Sequence, residues 1–328
     1  MLTIYRSNKA EWLAEILGQE LRLNPPEITE EVDIIVSTWP SSRWLSEELS
    51  RINNINALVK FPFPRTYLKR LVRKIIGIEV NEKDPWEKNY LVWDILELLP
   101  ELIQREEAKT IKEFIKKTQG EVEIININLW DLANNIAEIF DDYILYRPDI
   151  IKQWLSSKSK KVSRDVTVNR NYLWQEILFK LLHQKINKKP FCIQVEEAIK
   201  ILSHCDTSNI DIPKNLYIYG LSSLAPLQID LIQAFSKIIN IKIYLISPCN
   251  DLWQRCEARR LQFRNTWNTP PDRQWLLESP RLEAFLGRMG AEFQQLLEGS
   301  GEYQFGDRNE EDIFSLTSDI SINKGNKP

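Results

Sequence analysis

The feature that most constrains the fold is an interrupted βα pattern. Strand-like runs occur near the start of the chain, vanish for over a hundred residues of helical periodicity, and then return. Leu2-Thr3-Ile4-Tyr5 alternates and meets Ser7-Asn8, good helix-capping residues, before an apolar helical pattern through Trp12, Leu13, Ile16 and Leu17. After Asn24-Pro25-Pro26, Val32-Asp33-Ile34-Ile35-Val36 reads as a buried strand and 41–49 as its helix. Lys60-Phe61-Pro62-Phe63-Pro64 is held extended by its prolines, and a helix is expected over 66–76. Periodicity is helical over 86–202. Strands return at Leu216-Tyr217-Ile218-Tyr219 and Ile241-Lys242-Ile243-Tyr244-Leu245-Ile246, with a crossover helix expected over 226–239. The expected class is α/β, a parallel sheet interrupted by an all-helical insertion. The expected parts are 1–80, the first half of the α/β domain; 81–205, the insertion; 206–250, the returning sheet; and 251–328, a helical segment with a polar tail. The clearest linker is Lys158-Ser159-Lys160-Lys161-Val162-Ser163-Arg164.

A net charge of -3 conceals an uneven distribution. Between Leu49 and Ile78 stand seven basic residues and no acidic one: Arg51, Lys60, Arg65, Lys69, Arg70, Arg73 and Lys74. Arg65, Lys69 and Arg73 fall at i, i+4 and i+8, a row that can bind phosphates. Phe61, Phe63 and Tyr67 lie beside it, and aromatics next to cations can stack unpaired bases. A solvated amphipathic helix is the bland alternative for this segment. Trp39 and Arg43 follow the Val36 strand tip, where open α/β sheets place ligand-contacting loops, and are expected to be exposed, with Trp44 in the core. The expected DNA-contacting set is Trp39, Arg43, Lys60, Phe63, Arg65, Lys69, Arg70 and Arg73.

Several chemistries are poorly supported. The loop Tyr5-Arg6-Ser7-Asn8-Lys9 sits where a phosphate-binding loop would, but it has no glycine to let backbone N–H groups curl around phosphates. Ser7 and Lys9 resemble remnants of one. The strand ends Tyr219-Gly220-Leu221 and Ile246-Ser247-Pro248 carry no carboxylate for magnesium. Glu107-Ala108-Lys109 and Pro271-Asp272 are too scattered for a nuclease cluster. Cys192, Cys205, Cys249 and Cys256, with only two His, suggest buried thiols and no metal site. No apolar run spans a bilayer and no signal peptide opens the chain, so a cytoplasmic location without membrane contact is expected. Glu138-Ile139-Phe140-Asp141-Asp142-Tyr143 with Tyr146-Arg147-Pro148-Asp149 places carboxylates near one Arg, and structural ion pairing is its bland reading.

Taken in order, Met1-Leu2 with Tyr5 and Ser7-Asn8, Ser37-Thr38, Trp44-Leu45, Phe61-Pro62-Phe63-Pro64, Leu98-Leu99-Pro100 and Phe140-Asp141-Asp142-Tyr143 resemble the RecC family. So do Gly220-Leu221-Ser222-Ser223-Leu224-Ala225-Pro226, Ser247-Pro248-Cys249 and Leu286-Gly287-Arg288-Met289-Gly290-Ala291-Glu292-Phe293. The family supplies the gamma subunit of exodeoxyribonuclease V, and this chain is similar to its N-terminal portion. The resemblance implies a fold like a superfamily 1 helicase that has lost its ATP site. It also implies a hetero-oligomer with a RecB-like and often a RecD-like subunit, which would hold ATP and Mg2+ and perform hydrolysis and cleavage. This chain would carry no complete active site or cofactor of its own. It would help split duplex ends and scan single-stranded DNA for a recombination signal. In the family, signal-reading residues come from segments that correspond here to Ser37 to Arg43, Phe63 to Lys69 and Glu138 to Arg147. The carry-over names Ser37, Glu138, Asp141, Asp142 and Arg147, with Ser37, Trp39 and Arg43 where amide side chains are usual. A free-standing single-stranded nucleic-acid-binding module, a non-functional remnant and an α/β nucleotide hydrolase remain as alternatives.

Overall fold

The computed structural model describes residues 1–27, 31–119, 127–156, 173–204, 210–247 and 308–313, together with Gly290, Phe293 and Leu297. The chain forms two compact units, Met1–Leu71 with Asp206–Pro328, and Val72–Cys205. The expected linker at 158–164, the residues Cys205, Pro248, Cys249, Cys256 and Asp272, and most of 251–328 lie outside the described residues.

The first unit carries strands β1 (Leu2–Ser7), β2 (Val32–Val36), β3 (Val59–Lys60), β4 (Asn215–Tyr219), β5 (Asn240–Ile246) and β6 (Arg308–Asp312). All pair in parallel, in the order β3-β2-β4-β5-β1-β6. Leu2 and Ile4 are buried on one side of β1 and Thr3 and Ser7 on the other, as expected of a central strand covered on both faces. Tyr5, Tyr244 and Tyr219 occupy matching positions on β1, β5 and β4. The Tyr5 and Tyr244 rings stack at 5.1 Å, and Tyr219 continues the row 6.1 Å from Tyr244. Such same-face neighbours fix the register.

Helix α1 (Ala10–Leu23) and helix α2 (Trp39–Asn53) pack against this layer through Leu13, Leu17, Leu45 and Leu49. The Tyr219 hydroxyl donates to the Ala10 carbonyl at 2.6 Å. Trp44 packs on the same core, 6.2 Å from Tyr219. The two helices approach closely at Gly18, where an added Cβ would lie 2.7 Å from Ile52 Cγ2. Arg22 seals the far end by donating to the Ile52 carbonyl. We expect Gly18→Ala to destabilise the first unit by roughly 1–3 kcal/mol through overpacking, outweighing the roughly 1 kcal/mol gain in helix propensity. Urea denaturation checks this, and an unchanged midpoint would mean that the helices can separate freely.

β6 departs from the sequence expectation. Arg-Asn-Glu-Glu-Asp has neither alternation nor strand-favouring residues, so 308–312 was expected to be part of a polar tail. It is instead an edge strand pairing with β1, and the Ile313 amide donates to the Arg6 carbonyl at 2.8 Å. Backbone hydrogen bonding to an already ordered strand can place a segment that hydropathy cannot.

Helix α3 (Pro64–Ile76) contains the division between the two units, at Leu71/Val72. The helical unit continues with α4 (Lys88–Leu102), α5 (Lys109–Gln119), α6 (Ile127–Tyr146), α7 (Pro148–Leu155), α8 (Leu173–Ile186) and α9 (Phe191–His204). Its core includes Trp86, stacked 4.9 Å from Phe179, with Phe140 edge-on to Phe179 at 5.4 Å. The Trp86 indole N–H donates to the Lys188 carbonyl at 2.8 Å, satisfying the one polar group of a side chain 2% exposed. In the first unit, helix α10 (Pro226–Ser236) connects β4 to β5 and ends before the expected residue 239.

Candidate nucleic-acid interface

Two helices begin at the tips of parallel strands. Thr38 caps α2, its side chain accepting from the Ser41 amide at 3.3 Å, and Trp39-Pro40 opens the first turn. Pro64 opens α3, and the Phe63 carbonyl accepts from the Tyr67 amide at 3.0 Å. The extended Phe61-Pro62-Phe63 segment is tied to β2 by a 3.2 Å bond from the Val36 amide to the Pro62 carbonyl. These ties bring two aromatic side chains together, with the Trp39 ring edge-on to Phe63 at 5.6 Å and 87°. Trp39 is 71% exposed, so most of its surface is open to a stacking partner. Neither α2 nor α3 has an acidic residue in its first turn, so both positive dipole ends remain open to anions. Arg65, in the first turn of α3, is exposed.

The basic segment is acid-free in sequence but not in space. Arg51 pairs with Glu48 at 2.7 Å, Lys60 with Glu31 at 2.6 Å and Arg70 with Asp33 at 2.7 Å. Arg43 reaches Glu47 at 3.5 Å in a well-exposed pair, the kind that exchanges readily for a phosphate. Arg70 also covers the Tyr67 ring, its guanidinium carbon 4.8 Å from the centroid. Burial, reinforced by Asp33, pushes the Tyr67 phenol well above its usual range.

Arg73 must be removed from the expected phosphate-binding row. It is 6% exposed, donates to the Val80 carbonyl at 3.1 Å and to the Glu82 carbonyl, and faces Asp84 at 3.9 Å. The cause lies at the end of α3. Gly77 adopts φ +71, the Ile78 amide bonds the Arg73 carbonyl at 2.9 Å, and the chain folds back over the last turn. Helical spacing alone could not reveal this closure, although a glycine followed by Asp84-Pro85-Trp86 is a usable signal. Lys69 remains half-exposed.

At the tip of β1, Ser7 is fully buried and its hydroxyl accepts from the Lys9 amide at 3.1 Å. The Lys9 ammonium lies 4.4 Å from the Trp12 ring centroid. This local turn uses a side chain where a phosphate cradle uses glycine backbone.

In the helical unit, Glu138, Asp141 and Asp142 share one face of α6 by i, i+3 and i+4 spacing. Glu138 pairs with Lys88 at 2.7 Å. Arg147 is the N-cap of α7 and reaches Asp149 at 4.0 Å. Ser37 is exposed at the β2 tip in the other unit.

Cys192 is fully buried, and burial pushes its thiol up to about 12. Native protein should therefore leave it unmodified by thiol reagents at neutral pH, with reaction appearing only on unfolding. Because the folded value is raised, its contribution to stability is full below the unfolded value of roughly 8.5 and is lost as pH climbs toward about 12. Rapid labelling under native conditions would contradict this burial. Among the described residues, no group of His, Cys, Asp and Glu is arranged to hold a metal, and no helix is long and apolar enough to cross a membrane.

Comparison with known proteins places these features. The family described as RecC, N-terminal domain, matches residues 2–324. The chain is similar to the RecBCD enzyme subunit RecC of Haemophilus influenzae, 23% identical over 281 residues covering 80% of this chain and 25% of that protein. The same subunit of Escherichia coli is 25% identical over 257 residues, 77% of this chain and 22% of the relative. That of Mycolicibacterium smegmatis is 24% identical over 261 residues, 79% and 22%. The chain thus spans about a quarter of the length of these relatives. With the family matched over almost its whole length, the chain belongs to the RecC N-terminal domain family.

Proposed function

We propose that this chain is the strand-binding N-terminal part of a RecC-type subunit and acts in DNA double-strand break repair and recombination. The observation that carries this reading is the exposed Trp39, edge-on to the half-buried Phe63 and set between two acid-free helix starts. Aromatic faces stack unpaired bases without regard to sequence, and helix N-termini with Arg43, Arg65 and Lys69 take the phosphates. Lys60 and Arg70 supply positive potential at the margin while paired to their carboxylates. Ser37, Asp141 and Arg147, with Glu138 and Asp142, are the residues through which a passing strand would be tested for a recombination signal.

The glycine-free turn at Ser7 and Lys9 supports a helicase-like sheet without a working ATP site. ATP, Mg2+, unwinding and strand cleavage then belong to RecB-like and RecD-like partners of the exodeoxyribonuclease V assembly, working in the cytoplasm. Partner dependence distinguishes this reading from a free-standing single-strand binder.

Arg65→Ala tests the phosphate role. Affinity for single-stranded DNA should fall for all sequences, and the slope of log K against log salt should flatten by roughly 0.7 units. Wild-type affinity and slope would make this end of α3 a solvated face only.

A further inference from the structure

The strand-binding reading leaves unused the outer seam between α4 and α6 in the helical unit, around Trp93 and Trp130. Lys88 of α4 pairs with Glu138 of α6 at 2.7 Å. Farther along α4, the Trp93 ring meets Trp130, which lies earlier in α6, edge-on at 4.9 Å, so the two helices run antiparallel. Leu91, Val92, Ile95 and Leu96 turn one side of α4 to the core, as Leu129, Ala133 and Ile136 do for α6. Helical spacing then puts Trp93 on the outer side, where it is 62% exposed, with Trp130 half-buried beside it.

The charge around these rings has one sign. Within one turn of either Trp, α4 and α6 carry Asp94, Glu97 and Asp131 and no basic residue. From α8, Lys185 bonds both Asp94 at 2.9 Å and Glu97 at 2.6 Å, so one cation answers two carboxylates. Asp131 is exposed and has no basic partner among the described residues. The seam therefore keeps a surplus of negative charge beside an open indole. One turn before Trp93, the exposed Tyr90 ring has the Lys83 ammonium 5.9 Å from its centroid. Neither Trp93 nor Trp130 has a cation over its face among the described residues. A nucleic-acid strand stacking here would bring its phosphates against these carboxylates, whereas a cationic side chain gains from the rings and the acids together.

We propose that this seam docks an arginine-bearing segment of another protein chain. A guanidinium is planar, weakly hydrated and always charged, so it stacks on the open face of Trp93 while Asp131 and Glu97 meet its charge. Apolar neighbours of that arginine cover Trp130. Exposed Trp and Tyr with a surplus of acid on one side, and Arg on the other, are the pairing that protein–protein contacts favour at their centres. The strand tips of the first unit play no part in this contact.

The test is fluorescence anisotropy of the full chain with a labelled peptide of arginine, leucine and alanine, with the same peptide carrying glutamate in place of arginine, and with a labelled single-stranded oligonucleotide. The proposal expects salt-sensitive binding of the arginine peptide and none of the glutamate peptide. Trp93→Ala should weaken the arginine peptide about tenfold. Asp131→Asn should weaken it about threefold and make its salt dependence shallower. Asp131 is exposed and its amide replacement keeps the shape, so that variant carries the test even if Trp93→Ala fails to fold. Absence of arginine-peptide binding, equal binding of the two peptides, or unchanged affinity in Asp131→Asn overturns the proposal. Oligonucleotide binding that Trp93→Ala weakens, with no binding of the arginine peptide, would assign the seam to nucleic acid and overturn it as well.

Discussion

Replacing Arg73 with leucine should lower the unfolding free energy of the helical unit by about 3–5 kcal/mol, with no change in the salt slope of DNA binding. Asp84 is 5% exposed, and its other oxygen already accepts from the Trp86 amide at 3.0 Å. Removing the guanidinium strands a buried carboxylate beside the Val80 and Glu82 carbonyls, which lose their donor. The damage reaches the core because Trp86, next but one to Asp84, stacks on Phe179. Adding Asp84→Asn should recover part of the loss, since the amide oxygen can still accept from Trp86 without a charge. Urea denaturation with single and double variants measures both effects. A phosphate-contacting Arg73 would give the opposite signature, with stability intact and a flattened slope.

Trp39→Ala should weaken single-stranded DNA binding about ten- to a hundredfold, the loss of one stacked base at roughly 1–3 kcal/mol. Its effect on stability should stay within roughly 0.5 kcal/mol, because the ring is 71% exposed. Trp44 is the internal control. It stands five residues on but packs on the core against Tyr219, so Trp44→Ala should reduce stability instead. Anisotropy with a labelled oligonucleotide and thermal melts separate the two. If Trp39→Ala binds like wild type, the exposed Trp39 ring is not the stacking platform.

The residues that could be read in advance were those whose environment follows from local periodicity. Val32 to Val36 and Ile241 to Ile246 are near-continuous apolar runs, and both are buried strands of the parallel sheet. The helices expected over 41–49 and 66–76 are present, but they begin earlier, at Trp39 and Pro64, because proline's missing N–H costs nothing in a first turn. The exposed Trp39 and the packed Trp44 followed from position relative to a strand tip. Long-range pairing was invisible. Asp33 reaches Arg70 and Glu31 reaches Lys60 across sequence gaps that no local window spans. The basic segment therefore looked richer in available cations than it is. β6 was illegible for the complementary reason: its place depends on the exposed backbone edge of β1, while its own side chains carry no strand signal.

The central claim, that the strand tips of the first unit bind single-stranded DNA, is tested most directly by fluorescence anisotropy of the chain with a labelled oligonucleotide across a salt series. Wild-type binding should weaken linearly in log–log form as salt rises. Trp39→Ala should lower affinity at every salt concentration without altering that slope, because it removes stacking and no charge. Salt-independent binding, or equal affinity for wild type and Trp39→Ala throughout the series, would contradict the account.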